Sequence, residues 1–381
     1  MRNFLKIYYL LAAIIIFNVS CGILIPLPPV NNPDLALLFP DRILYSVVAR
    51  SLNHNAGLRG EALIAALARI HTLNHSGHSD FVGRQPINGH IRDSAGLEYL
   101  TGLTTLNLTG NRLTSLDVSR LTHLTELNVS SNDLTTLTLG NNPNLTKVVT
   151  NSNYRLSQLD VSGLVNLTYL NVSSNNLIST NLDNNINLTS LYVDFNRQLT
   201  HLNLSNNINL THLRAEFSAI TNLDISNLIN LTRLELRLSG LTHLDLSNNN
   251  QLTHLRIAGT RLTGLDVNNL TNLTVINLFD NQLTHLDVSN LTHLATLAVA
   301  RNLLTSLNIG YLPHLTHLNI ADGNPLTNLD ISGLPNLERL TINDIQLPNL
   351  NLIGLSNSTE IVIMHGDHQG IREQTTIRGG L

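Results

Sequence analysis

The sequence predicts an α/β-type repeat solenoid, mostly β, in which short parallel strands stack along a coil behind a small helical N-terminal cap. Three observations lead there. Apolar residues return every 21 residues from about residue 100 to about residue 365. Each period holds two strand-like segments and no stretch of helical spacing. Two stretches that do have helical spacing stand immediately before the first period.

The period is clearest in residues 103–113, LTTLNLTGNRL, where Leu106 and Leu108 alternate with polar neighbours. The residue at Leu106 returns at Leu127, Val148, Leu170, Leu191, Leu213, Leu234, Leu255, Ile276, Leu297, Leu318, Leu340 and Ile361, in steps of 21 with a few single-residue insertions. A weaker LxxLDVS column runs between these, through Leu116, Leu137, Leu159, Thr180, Leu202 and on to Leu350. Self-similarity of this length marks a solenoid, because one turn cannot bury its leucines alone whereas stacked turns bury them in a continuous core. Parallel strands about 4.8 Å apart give a sheet on the order of 60 Å long. The second column leaves no room for a helix on the opposite face.

Before the array, Asp41 is placed to cap a helix whose apolar positions are Leu44, Val47, Val48 and Leu52. Gly57 and Gly60 interrupt it, and a second helical stretch carries Leu63, Ala66, Leu67, Ile70 and Leu73 on one face. Residues 39–99 therefore read as a cap over the open first repeat. Within it, residues 74–95 are rich in Gly, His, Ser and Asn and read as loop. Residues 22–38 hold four prolines and read as an extended spacer. At the other end, residues 366–381 are polar and lose the pattern, which suggests a frayed tail. Either that tail, a partner or another copy would have to cover the last turn.

The first 21 residues have the form of an export signal: Arg2 and Lys6, then a short apolar run from Leu10 to Phe17. The run ends at Asn18, Val19, Ser20 and Cys21, and Cys21 is the only cysteine of the 381 residues. A small residue before Cys resembles the lipobox of bacterial lipoproteins, which implies lipidation of Cys21 and a membrane contact through that lipid. The lipobox position three before the cysteine is commonly Leu and here is Asn18. The other reading is an ordinary signal peptide that contains a cysteine.

The LxxLxLxxNxL pattern over residues 100–365 resembles bacterial leucine-rich-repeat surface proteins. Phe39, Pro40 and Asp41 opening a helix, with Gly96 to Leu100 leading into the first repeat, look like the internalin-type cap. The resemblance implies an adhesion or recognition protein that binds host or neighbouring-cell proteins, or glycans, through the strand face. There is no LPxTG-like sorting motif, so the resemblance would place anchoring on Cys21.

Composition narrows the function classes. A formal net charge of −4 and 13% charged residues are unlike a surface that grips nucleic acid. No nucleophile elbow, phosphate loop or HExxH motif is present, so catalysis is not expected, nor a cofactor. The sixteen histidines include columns two repeats apart, such as His201, His243 and His285. Ligands about 10 Å apart do not share one ion, so no metal is expected.

The recurrent Asn111, Asn132, Asn153, Asn175, Asn196, Asn281 and Asn302 read as structural, bridging turns with side chains that both donate and accept. Ser218, Ser239 and Thr260 are expected to take the same role with smaller groups. The Thr of LTxL reads similarly, and sequons such as Asn144 and Asn166 follow from the repeat itself. What varies is the set of outward positions on the first strand. From the fourth to the eighth turn these become large and charged: Tyr169, Tyr192, Asp194, His212, Arg214, Glu216, Arg233, Glu235, Arg237, His254 and Arg256. Phe195 and Phe217 lie just past the strand ends. Arg and Tyr are frequent interface anchors, and variation on a constant scaffold is where binding resides. The alternative is a passive ladder in which Arg214, Glu235 and Arg256, and Glu216 and Arg237, neutralise one another on successive strands, and a structural cell-envelope component without a specific ligand stays open beside the binding readings.

Overall fold

The computed structural model describes residues 32–52, 57–77, 89–326, 328–343, 359–365 and 373–378. The export signal with Cys21, and the spacer up to residue 31, lie outside these. Among the described residues, no helix is long and apolar enough to cross a membrane.

Three helices open the described chain: α1 (Pro33–Leu38), α2 (Arg42–Ser51) and α3 (Gly60–Leu67). Asp41 caps α2, one carboxylate oxygen accepting from the Ile43 and Leu44 N–H groups. Its other oxygen accepts from Arg92 N–H at 2.8 Å, tying the cap to the segment entering the array. Residues 33–38 differ from the expected extended spacer. Pro33 occupies the first turn of α1, where its missing N–H costs nothing, and Asn32 accepts from Leu35 N–H. Leu35 and Phe39 are buried in the same core as the repeats.

The strands follow in chain order. They are β1 (Thr72–Asn74), β2 (Thr105–Asn107), β3 (Ser115–Asp117), β4 (Glu126–Asn128), β5 (Thr136–Thr138) and β6 (Lys147–Val149). Next come β7 (Tyr169–Asn171), β8 (Ser190–Tyr192), β9 (His212–Arg214), β10 (Arg233–Arg237), β11 (His254–Ala258) and β12 (Val275–Asn277). Last are β13 (His285–Asp287), β14 (Thr296–Ala298), β15 (Ser306–Asn308), β16 (His317–Asn319), β17 (Arg339–Asn343), β18 (Glu360–His365) and β19 (Glu373–Arg378). One sheet of 15 strands runs β1-β2-β4-β6-β7-β8-β9-β10-β11-β12-β14-β16-β17-β18-β19. Every pair in it is parallel except β18 with β19. Register keeps the apolar column aligned, Leu191 against Leu213 and Leu234 against Leu255.

Three features depart from the expectations. Ile70 and Leu73 are buried but lie beyond the helix, and Leu73 sits in β1. Pairing of this segment with β2 wins over helix, since Thr104 and Thr105 N–H both donate to His71 O, and it covers the exposed edge of the first repeat. The second column makes ladders only as β3-β5 and β13-β15 among the described residues. Elsewhere its leucines, such as Leu202 and Leu223, are buried without strand pairing. The tail expected to fray supplies β19, which pairs antiparallel with β18 and covers the last edge.

Between turns, side chains complete the hydrogen bonding. Thr125, Thr146, Thr168, Thr189 and Thr211 each donate to the carbonyl of the equivalent Thr one turn before. Asn196 donates to Val172 O and Val193 O and accepts from Leu177 N–H. A second buried Asn column, at Asn142, Asn185, Asn207 and Asn249, was not anticipated. Its amides donate to earlier turns while its Oδ1 atoms find no partner.

Candidate functional site

Each strand of the main sheet offers three outward positions: before, between and after its two inward residues. The alternation of the pleat puts them on one face. The eleven charged and aromatic residues singled out from the sequence all fall on five successive turns, β7 to β11. Tyr169, His212, Arg233 and His254 stand in the first column, Tyr192, Arg214, Glu235 and Arg256 in the second, and Asp194, Glu216 and Arg237 in the third.

Their contacts are not those of an alternating ladder. The carboxylates converge on Arg214: its Nε lies 3.0 Å from Asp194 and 3.8 Å from Glu235, and its guanidinium NH2 group 3.8 Å from Glu216. The Asp194 contact is an ion contact rather than an aligned hydrogen bond, because Arg214 Nε–H does not point along it. Asp194 is 3% and Glu216 6% exposed, so these two do not pave the surface as the sequence reading expected. Burial pushes both carboxyl groups above the ordinary range, and Arg214 only partly offsets it. Asp194 also accepts from Ser173 Oγ and from Glu216 N–H. Arg233, Arg237 and Arg256 are exposed, and among the described residues none of them forms an ion pair.

The histidines are held by their neighbours. Thr211 and Thr253 spend their hydroxyl protons on the preceding turn's carbonyl, so the Nδ1 atoms of His212 and His254 must be the donors to those hydroxyls. Burial, then Arg233, keeps both imidazoles below the ordinary histidine range. Among the described residues, no group of three or more His, Cys, Asp or Glu side chains is placed to hold a metal ion. Tyr169 and Tyr192 tilt against each other with ring centroids 5.4 Å apart.

Both rims of this face carry apolar groups that the sequence reading missed or underweighted. At the C-terminal rim, one position per turn has positive φ. Gly110, Ser131 and Gly259 fill it on some turns and Asp280 and Arg301 on others, but on the three adjoining turns of β8, β9 and β10 it is filled by Phe195 (φ 55°), Phe217 (φ 53°) and Leu238 (φ 49°). Bulky side chains rarely tolerate this left-handed region. The two phenyl rings stack at 4.2 Å. Beneath them the Asn column lapses. Ser218 reaches only Ala215 O on its own turn, Ser239 Oγ is buried without a partner, and Thr260 bonds the next turn's Asn281. The expectation that these smaller groups replace Asn as inter-turn bridges therefore fails at Ser218 and Ser239, whose side chains are too short. At the N-terminal rim, Val165, Ile186, Ile208 and Ile229 form an exposed aliphatic row. Beside it runs an open groove of 960 Å³ lined by Asn and Thr, including Asn166, Thr168, Asn187 and Thr189. The signal for both rims is columnar: comparing each position only with its equivalents one turn away picks out Leu238 and the Ile row at once.

The family model described as Leucine Rich Repeat matches residues 102–124, one turn of the array. Among solved structures the chain is similar to the functional domain of InlJ from Listeria monocytogenes, with 28% identity over 82% of this chain and 76% of that one, at a TM-score of 0.59. The fold is internalin-like and leucine-rich-repeat. Two further structures share this internalin-like fold at lower identity. An internalin of the same organism, inlF, has 23% identity over 88% of this chain and 98% of that one, TM-score 0.58. YopM, a leucine-rich effector protein from Yersinia pestis, has 19% identity over 88% and 95%, TM-score 0.59. No curated protein matches the sequence. The InlJ domain includes a cysteine ladder, whereas the inter-turn ladders of this internalin-like array are built from Asn and Thr, its sole cysteine being Cys21.

Proposed function

We propose that the chain is an exported, surface-displayed and non-catalytic binding protein that recognises a protein partner through the strand face over β7 to β11. One observation carries the reading. Over these turns the outward columns become charged and aromatic, Phe195, Phe217 and Leu238 occupy left-handed backbone on β8 to β10, and the inter-turn Asn bridges lapse on β9 and β10. Several local rules broken on adjoining turns mark a place where a function other than folding is served. Tyr and Arg, the side chains most often found as anchors of protein interfaces, stand together on this face. Lipidation of Cys21 would hold the array at a membrane, and replacing Cys21 by Ser would then release the protein from the membrane fraction.

A second reading is glycan binding. The tilted Tyr169–Tyr192 pair offers ring faces for sugars, and the Asn and Thr groove beside it is polar and open. The full-length protein, screened against mixed proteins and glycans, separates the two. Loss of a protein hit in Arg233→Ala/Arg256→Ala supports the protein reading. Loss confined to Tyr169→Ala/Tyr192→Ala supports the glycan reading. A hit retained in both variants would move the site off this face.

A further inference from the structure

We infer that the partner presents an extended acidic segment, with carboxylates at alternate residues followed by an apolar side chain, to Arg233, Arg256 and Arg237 and to the Leu238 rim. This rests on the binding reading above and specifies the chemistry of what is bound. The three carboxylates of the patch are turned inward on Arg214, with Asp194 and Glu216 buried and Glu235 largely covered. What faces solvent is therefore cationic: three exposed arginines without an ion pair among the described residues. Exposed cations in isolation are ordinary. These are ordered by the sheet. Arg233 and Arg237 stand at the two ends of β10, about 13 Å apart at strand rise. Arg256 lies on β11 in register with Glu235, midway between them.

An extended chain repeats its side chains on one face about every 6.6–6.8 Å. Three carboxylates at alternate positions therefore span the distance from Arg233 to Arg237 and pass Arg256 in the middle. Beyond Arg237 the same segment meets Leu238 and the stacked Phe217, which give an apolar anchor its place. His212 and His254 flank Arg233 on both sides in register. An anionic polysaccharide would use the arginines but has no use for an aliphatic side chain thrust out on strained backbone, which is why a protein segment is the occupant.

The test is selection of short random peptides by the immobilised full-length protein, with anionic glycans probed alongside. The wild type should enrich sequences carrying two or more acidic residues at alternate positions next to a Leu, Phe or Tyr. A selected peptide should lose at least about tenfold in affinity to Arg233→Gln/Arg237→Gln/Arg256→Gln and weaken as salt rises. Its Asp→Asn and Glu→Gln counterpart should not bind. Enrichment of neutral or basic peptides that Tyr169→Ala or Phe217→Ala abolishes would overturn the acidic segment and leave the face as the site. Binding of anionic glycans with no peptide enriched would overturn the protein occupant. Peptides, or no peptides, with no dependence on any of these residues would overturn both readings. Circular dichroism of each variant checks that the fold is retained.

Discussion

Leu238→Gly separates what the array needs from what its face is for. Leu238 sits at φ 49° and is 47% exposed. Gly259 on the next turn and Gly110 near the start of the array hold the same position at φ 65° and 68°. Left-handed backbone costs a non-glycine residue about 1–2 kcal/mol, which the substitution relieves. Against that, glycine carries about 0.5–1 kcal/mol of additional chain entropy. Losing a half-covered leucine costs roughly 1 kcal/mol, half the value for full burial. The sum lies between about 1 kcal/mol destabilising and about 0.5 kcal/mol stabilising, whereas truncating a fully buried leucine costs about 2–5 kcal/mol. Urea unfolding followed by far-ultraviolet circular dichroism, run beside Leu234→Ala as a core control, measures both. The midpoint of Leu238→Gly should stay near wild type, that of Leu234→Ala should fall, and the affinity for a selected partner should drop in Leu238→Gly. A Leu238→Gly midpoint as low as the core control would refute the reasoning, because Leu238 would then be held in its strained backbone by packing.

Other outcomes follow from the same geometry. Asn196→Leu orphans the Leu177 N–H and the Val193 carbonyl inside the coil and should cost about 2–6 kcal/mol, at roughly 1–3 kcal/mol per buried group. Asn207→Leu should cost far less in the same urea assay. Its Oδ1 is already unpartnered, the carbonyls it reaches at Leu182 and Asn185 keep other donors, and the repeat itself uses Leu228 at the equivalent place. His212 and His254 have folded pKa values below the ordinary histidine value of about 6.5, so below about that pH the unfolded chain binds more protons than the native one. Stability should therefore be lost as pH falls from 6.5 toward the folded values, and His212→Gln/His254→Gln should flatten that slope in thermal melts. Asp194 and Glu216 act with the opposite sign: their raised values make the native state relatively more stable as pH falls from above those values toward the ordinary carboxyl range. Removing residues 366–381 uncovers the β18 edge, and light scattering should then detect association that the full chain lacks.

Much of this molecule is written in one dimension. A solenoid repeats its contacts at a fixed interval, so a residue's environment is set by its column. Period, parallel sheet, buried leucines and the Asn and Thr columns could therefore be read from spacing alone. The sequence likewise placed all eleven candidate residues on one face, since a two-residue alternation assigns sides without knowledge of contacts. Where the period is absent the reading weakened. Leu73 lies 33 residues before Leu106, so nothing marked it as the first strand, and only pairing with β2 drew it out of helical spacing. The tail after residue 365 has no repeat to align with, and its role as a closing strand came from the open edge it meets. Charge partners were also beyond the sequence. Column order offers Glu235 two arginines at equal strand distance, Arg214 and Arg256. The choice between them belongs to the tertiary structure, because burial of Asp194 and Glu216 beside Arg214 gathers the acids under the surface and leaves Arg233, Arg237 and Arg256 facing out.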